Sequence, residues 1–328
     1  MILSQQLGFA DDQLRYVLSL FAMYPFAILY ALLPNGSTKH LFSIILGVSA
    51  AQFVFGSAWI HSFITSAITY SLVRFGPAKY APYIVFVFNM LYMTASHLYR
   101  IYIDYMGWSL DFTGAQMLIV IKLSSFAYNY YDGVVDKNQS TSKVYDIRRK
   151  YAINRIPSLL EYFGYVYCFT TFLAGPAFEI REYLQVATTG GATLGRTTSD
   201  GRKRAALLKL ITGVFFLVIY TLFAKQFPVD NLYSVENAAR PFYLRIAYIW
   251  MSIFFIRIKY YFAWKVAEGS TVLSGFGFQG YNADGSAKGW HGVSNVDVVA
   301  FETAHRGLGI KVRKHGWNDM FTLVLAIH

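Results

Sequence analysis

The sequence has few of the features that a soluble enzyme of its size carries. Charged residues make up only 14% of the 328 positions, whereas 55% are hydrophobic and 18% aromatic, and a water-soluble core does not need so much apolar surface. The single cysteine, Cys168, excludes an intrachain disulfide and a cysteine-rich metal site. His-Glu-x-x-His, phosphate-loop and Gly-x-Ser-x-Gly motifs are missing too. We therefore expect a membrane protein without a metal site and without serine-hydrolase chemistry.

Acidic residues are also scarce, since 18 Asp and Glu stand against 29 Lys and Arg and give a formal net charge of +11. The basic residues fall between apolar stretches rather than along one polar helix face. This distribution fits contact with an anionic membrane surface better than contact with nucleic acid. We expect no nucleic-acid partner, and the sequence predicts no protein partner.

Long hydrophobic runs are abundant, and about 20 apolar residues suffice for a helix to cross a bilayer. We predict an all-α, polytopic integral membrane protein with about seven membrane-embedded helical segments, and a glycine-rich tail that starts near residue 268. The longest run, 41–73, can form one tilted helix or two short pieces, with Gly47 and Gly56 as the candidate break points. The segments are 13–33, 41–73, 80–99, 112–131, 158–176, 205–224 and 241–264.

Two loops, residues 132–157 and 181–204, are rich in Lys and Arg and are therefore predicted to be cytoplasmic. The segment 158–176 between them then cannot simply cross the bilayer and is expected to enter and return or to lie near the surface. Ser158 and Glu161 predict a capped helix start, and Gly175-Pro176 predicts a break. Non-helical backbone at membrane depth is tolerated only beside protein or a wet cavity, so we expect this segment to line an internal chamber.

Ionisable residues inside membrane segments need either a partner or a function. Lys122 lies near the middle of its segment, and both interpretations stay open for it. Arg257 and Lys259 have long side chains that can extend to the membrane interface. Aromatic residues follow at once: Tyr260, Tyr261 and Trp264. This cluster fits an aromatic belt at headgroup level, and it fits a binding site for an anionic, partly apolar substrate equally well.

The histidines differ in their surroundings. His61 and His97 lie in apolar segments and are expected to be hydrogen-bonded packing residues. His291 lies in a hydrophilic Trp-His-Gly loop, whereas a base that takes a proton from a lipid hydroxyl has to be buried beside its substrate. The histidines in polar stretches are expected to be solvated: His40, His305 and His315.

Four stretches, taken together and in order, resemble the membrane-bound O-acyltransferase family in its lysophospholipid acyltransferase branch. They are HLYRIYIDYMGWSLDFTGAQMLIVIKLSSFAYNYYDG (97–133), PSLLEYFGYVYCFTTFLAGPAFEIREY (157–183), KYYFAWKVAEGSTVLSGFGFQGY (259–281) and GVSNVDVVAFETA (292–304). The resemblance implies an endoplasmic reticulum membrane enzyme of phospholipid remodelling. It would transfer a fatty acyl group from acyl-coenzyme A to a lysophospholipid hydroxyl, among membrane lipids and without a cofactor.

The resemblance also implies the site residues. Family members use an asparagine in a Trp-Asn pair and, some tens of residues later, a histidine in an apolar helix that acts as general base. Asn318, which follows Trp317, falls on the asparagine position, whereas His328 comes only ten residues later and is a poor match in spacing. We further predict substrate contacts at six residues: Lys259, Tyr260, Tyr261, Trp264, Asn295 and Glu302.

We therefore expect residues 1–328 to form a single transmembrane acyltransferase-like domain that is incomplete at its C-terminal end and lacks turnover of its own. An incomplete gene model, a splice product and an inactive relative are all compatible with this expectation. Two other functions stay open: a non-catalytic membrane protein that binds lipid or acyl-coenzyme A, and a transporter of an anionic substrate along Lys122, Arg257 and Lys259. Inverted repeats would support the transporter, and we see none in the sequence.

Overall fold

The computed structural model describes residues 10–105, 110–135, 148–189, 196–282 and 288–293, which are predominantly helical. Short 3-10 turns separate several of the helices. In chain order the helices are α1 (Asp11–Leu32), α2 (Ser37–Phe55), α3 (Ile60–Phe75), α4 (Ala81–Ile103), α5 (Thr113–Val134), α6 (Leu159–Val166), α7 (Ile180–Thr189), α8 (Arg196–Phe223), α9 (Val235–Ala238) and α10 (Phe242–Leu273).

Four stretches of the described chain are long and apolar enough to cross a membrane: Asp11–Leu32, Ser37–Phe75, Gly201–Tyr233 and Phe242–Leu273. They confirm the predicted all-α integral membrane protein. The two further helices α4 and α5 have 23 and 22 residues, which is also the length of a membrane-spanning helix. The number of about seven embedded segments and the single domain over residues 1–328 stay predictions.

The long run 41–73 breaks at one of its two expected positions. Gly56 ends α2 with φ of +59°, a conformation that glycine adopts without steric cost, and a 3-10 turn over Gly56–Trp59 leads into α3. The expected break at Gly47 is wrong, because this residue lies within α2. A side chain at Gly47 would overlap the backbone carbonyl of Tyr167, so the glycine serves close packing instead of a turn.

The helices α8 and α10 form the most extensive pair. A Cβ atom at Gly213 on α8 would lie 2.7 Å from Cγ2 of Val266 on α10, so the missing side chain lets the two backbones approach closely. Small residues have this role in membrane helix pairs, where dispersion contacts rather than water drive association. The helix α1 packs on α10, α4 packs on α5, and α2 packs on α6.

The helix α10 continues beyond its predicted end at residue 264. Residues 266–272 are all buried, although their sequence contains Gly269, Ser270 and Thr271. The hydroxyl groups of Ser270 and Thr271 both donate to the carbonyl oxygen of Ala267 within the helix. The predicted start of the glycine-rich tail near residue 268 is therefore wrong, because hydroxyl groups bonded inside the helix are compatible with burial.

The segment 158–176 has the predicted non-spanning geometry. The helix α6 has only eight residues, which is too short for a bilayer, and Ser158 and Glu161 form the expected reciprocal capping box. Turns follow the helix up to Pro176, and every residue from Gly164 to Pro176 is buried. The segment thus places non-helical backbone in the interior of the protein, among apolar helices.

Candidate functional site

Lys122 fixes the beginning of the buried non-helical segment. Its side chain on α5 is only 2% exposed, and Nζ donates to the carbonyl oxygens of Tyr165 at 2.6 Å and Val166 at 3.2 Å. A third hydrogen bond of 3.2 Å goes to Oγ1 of Thr171. The last carbonyls of a helix lack donors within the helix and carry partial negative charge, which a cation stabilises. Lys122 therefore has a partner for its buried charge at the end of α6.

Glu179 fixes the other end of this segment on the same helix. Ser125 and Asn129 of α5 both donate to Oε2 of Glu179, and the bond from Asn129 is 2.6 Å long. Residues 122, 125 and 129 follow one another at helical spacing and therefore lie on one face of α5. One face of one helix thus holds the turns 167–176 at both ends.

A buried ionic cluster lies between α8 and α10. Glu268 is 0% exposed and accepts hydrogen bonds from Lys209 and, at 2.9 Å, from Lys265. Removing one partner from such a buried cluster would leave a charge without compensation, which is strongly unfavourable. One turn further along α10, the hydroxyl oxygen of Thr271 lies 3.5 Å from the carbonyl oxygen of Thr170 in the non-helical segment.

Sequence reasoning missed this ionic cluster. Lys209 lies within the predicted segment 205–224, and a lysine inside an apolar span indicates that a partner for its charge is buried nearby. Glu268 lies four positions beyond the predicted end of its segment at residue 264, and the wrong boundary hid it.

The predicted aromatic cluster of α10 divides between two environments. Tyr261 is 2% exposed, and its ring centroid lies 5.7 Å from Phe216 on α8 and 6.0 Å from Trp264. Tyr260, one position earlier, is 39% exposed, and Nζ of Lys259 lies 5.5 Å from its ring centroid. Neighbouring helix positions point about 100° apart, so these side chains cannot all face one ligand. Their substrate contacts stay a prediction.

Arg257 and the histidines show where local sequence context misleads. Arg257 is 5% exposed, so it is buried in the protein instead of extending to the interface. The expected solvation of His40 is wrong, because His40 is 3% exposed and its Nδ1 lies 3.0 Å from the hydroxyl of Tyr183. The start of α2 contacts α7 through His40 and Tyr183. The residues next to His40 in the sequence do not predict this contact.

Two histidine predictions agree with the structure. The Nδ1 atom of His61 lies 2.7 Å from the hydroxyl of Tyr92, and its ring stacks on Phe112 at 4.5 Å, which confirms the predicted hydrogen bond and ring packing at an exposed position. His291 is exposed, as expected for a hydrophilic loop. Several predicted residues lie outside the described ranges: Asn295, Glu302, His305, His315, Asn318 and His328.

Comparisons with known proteins agree on the family. The model of MBOAT, the membrane-bound O-acyltransferase family, matches residues 97–309. "Lysophospholipid acyltransferase 5" of Rattus norvegicus is 32% identical over 311 residues, which cover 94% of this chain and 62% of the relative. "Lysophospholipid acyltransferase" of Schizosaccharomyces pombe is 28% identical over 327 residues, covering 96% and 62%. The chain thus spans 62% of the length of these two curated relatives. It belongs to the membrane-bound O-acyltransferase family.

Proposed function

We propose that this protein transfers a fatty acyl group from acyl-coenzyme A to the free hydroxyl of a lysophospholipid. The observation that carries the proposal is its family membership together with relatives named lysophospholipid acyltransferase. The geometry supports it, because the turns 167–176 place non-helical backbone in a buried position among apolar helices, away from bulk water. Such a position excludes the water that would otherwise hydrolyse a thioester.

The chemistry that we propose needs one base. An imidazole takes the proton from the lysolipid hydroxyl, the hydroxyl oxygen attacks the thioester carbonyl, and the coenzyme A thiolate leaves and takes up the proton. Imidazole suits this role because it titrates near neutral pH. We assign Asn318 to holding the reacting groups. The thioester is already activated, so the reaction needs no further cofactor.

The proposed function also has a cellular location. The chain is an integral membrane protein by its family and its apolar helices. We place it in the endoplasmic reticulum, where phospholipid remodelling would give it both substrates.

The test separates substrate binding from turnover. Purified residues 1–328 in lipid nanodiscs are expected to bind a photoreactive acyl-coenzyme A saturably, with competition from oleoyl-coenzyme A. Turnover is measured in microsomes with labelled oleoyl-coenzyme A and lysophosphatidylcholine, for the unchanged chain and for Asn318→Ala and His328→Ala.

Each outcome has a distinct meaning. Transfer that disappears in His328→Ala would identify His328 as the base. Saturable binding without transfer would indicate a binding protein, or a base supplied from outside residues 1–328. A chain that shows no saturable binding of acyl-coenzyme A would refute the proposal.

A further inference from the structure

Two cations lie close together at the start of α2 and of α8. Lys39, in the first turn of α2, is only 2% exposed. The positive charge of Arg202 on α8 acts on Lys39. In the described part of the chain, no carboxylate pairs with either cation. A buried charge without a counter-charge is costly, so this arrangement calls for an anion.

Two buried hydrogen-bond donors, one on Arg202 itself and one on a neighbouring tryptophan, also lack acceptors. Nε of Arg202 and Nε1 of Trp290 are buried, and neither has a hydrogen-bond partner among the described residues. Trp290 is 3% exposed, and its Nε1 lies 3.7 Å from the position of a Cβ at Gly201, the residue before Arg202. The ammonium, guanidinium and indole groups can only donate. Buried donors of this kind are nearly always paired, so each of them needs an acceptor.

The surroundings of the cations are aromatic and leave room beside the guanidinium. Nζ of Lys39 lies 5.2 Å from the ring centroid of Tyr30, and the Tyr30 ring stacks on Phe276 at 6.1 Å. Gly275 has a φ of +102°, and a Cβ there would lie 3.7 Å from Nη1 of Arg202. Aromatic walls around unpaired cations suit a ligand that carries both an anionic group and a ring or an apolar portion.

We propose that Lys39, Arg202 and Trp290 form a binding subsite for a phosphate group of a substrate. A phosphate offers several acceptor oxygens and enough negative charge to offset two cations. This inference rests on the proposed function, in which both substrates carry phosphate. Arg202 belongs to the basic stretch 181–204, which is predicted to be cytoplasmic, and this location favours the water-soluble coenzyme A over the lipid headgroup.

The experiment compares ligand affinity with the stability of the ligand-free protein. Residues 1–328 in nanodiscs are prepared unchanged and as Lys39→Met, Lys39→Arg and Lys203→Met, where Lys203 is an exposed neighbour of Arg202 and serves as matched control. Binding of coenzyme A and of lysophosphatidylcholine is titrated, and the unfolding temperature is measured without ligand.

If the subsite exists, removing the charge of Lys39 should lower the affinity for coenzyme A and raise the unfolding temperature of the ligand-free protein. Lys39→Met should weaken coenzyme A binding about tenfold or more, because a charge-assisted hydrogen bond is lost. The same substitution should raise the unfolding temperature without ligand, because it removes an uncompensated buried charge. Lys39→Arg should retain most of the affinity, and Lys203→Met should change neither quantity. If Lys39→Met fails to fold, Arg202→Gln gives the same affinity readout from a partly exposed position.

The ligand arms distinguish the source of the phosphate. A Lys39-dependent affinity for coenzyme A supports the cytoplasmic substrate, and the same dependence for lysophosphatidylcholine alone supports a phosphate site that holds the lipid headgroup. If Lys39→Met binds both ligands with the affinity of the unchanged chain, the subsite is overturned and the proposed function stands. An unchanged chain that binds neither ligand overturns both. A loss of ligand-free stability with unchanged affinity overturns the subsite as well, because Lys39 would then have a structural role.

Discussion

The strongest structural prediction concerns Lys122, whose ammonium group joins α5 to the end of α6. Lys122→Met keeps an unbranched side chain that is one atom shorter, and it removes three hydrogen bonds, to Tyr165, Val166 and Thr171. Each hydrogen bond from a charged donor contributes roughly 1.5–3 kcal/mol to the stability that the substitution removes. In the opposite direction, the folded state no longer has to desolvate an ammonium group, and this regains several kcal/mol. We expect a net loss of about 3 kcal/mol in the free energy of unfolding, because two carbonyls and a hydroxyl remain buried without this donor.

The assay is thermal unfolding in detergent, followed as the fraction of monodisperse protein. A loss of about 3 kcal/mol corresponds to a decrease of about 4 °C in the unfolding temperature of a chain of 328 residues. Lys225→Met, at an exposed position after α8, is the matched control and should leave the temperature unchanged. Lys122→Arg, which retains a cation, should recover part of the loss. If Lys122→Met unfolds at the temperature of the unchanged chain, Lys122 does not fix the segment after α6, and the role that we give to its three hydrogen bonds is wrong.

Three further predictions test other parts of the structure. Gly47→Ala should destabilise the chain by about 1–3 kcal/mol or more, because the new methyl group overlaps the Tyr167 carbonyl; equal thermal stability would show that α2 does not pack there. Ser158→Ala should cost about 1 kcal/mol through loss of the helix cap, measurable as a lower unfolding temperature. Burial and the charge of Glu179 raise the pKa of Glu182 from 4.5 to about 7. The folded state therefore holds this proton more tightly than the unfolded state, so stability should fall as pH rises from 4.5 to 7, and Glu182→Gln should flatten that dependence in unfolding scans across pH.

Local sequence patterns determined the elements of this protein. The apolar runs predicted the helices from α1 to α5, because the length that a helix needs to cross a bilayer is a property of one continuous stretch. The Ser158 cap and the break at Gly56 were equally readable, since both depend on residues at most four positions apart and on the conformational freedom of glycine. The family resemblance of residues 97–304 rests on ordered blocks of the sequence, and the family model over residues 97–309 confirms it.

Only the tertiary structure decided which polar groups are buried and what they contact. Lys209 and Glu268 lie 59 positions apart, and Lys39 and Arg202 are still further apart, so no local pattern relates them. Burial depends on the helix that packs over a residue, and for this reason a histidine in a polar stretch, His40, lies in the interior. The sequence by itself specified apolar helices of sufficient length. Their packing determined which charges inside them are compensated and which, at Lys39 and Arg202, have no carboxylate partner among the described residues.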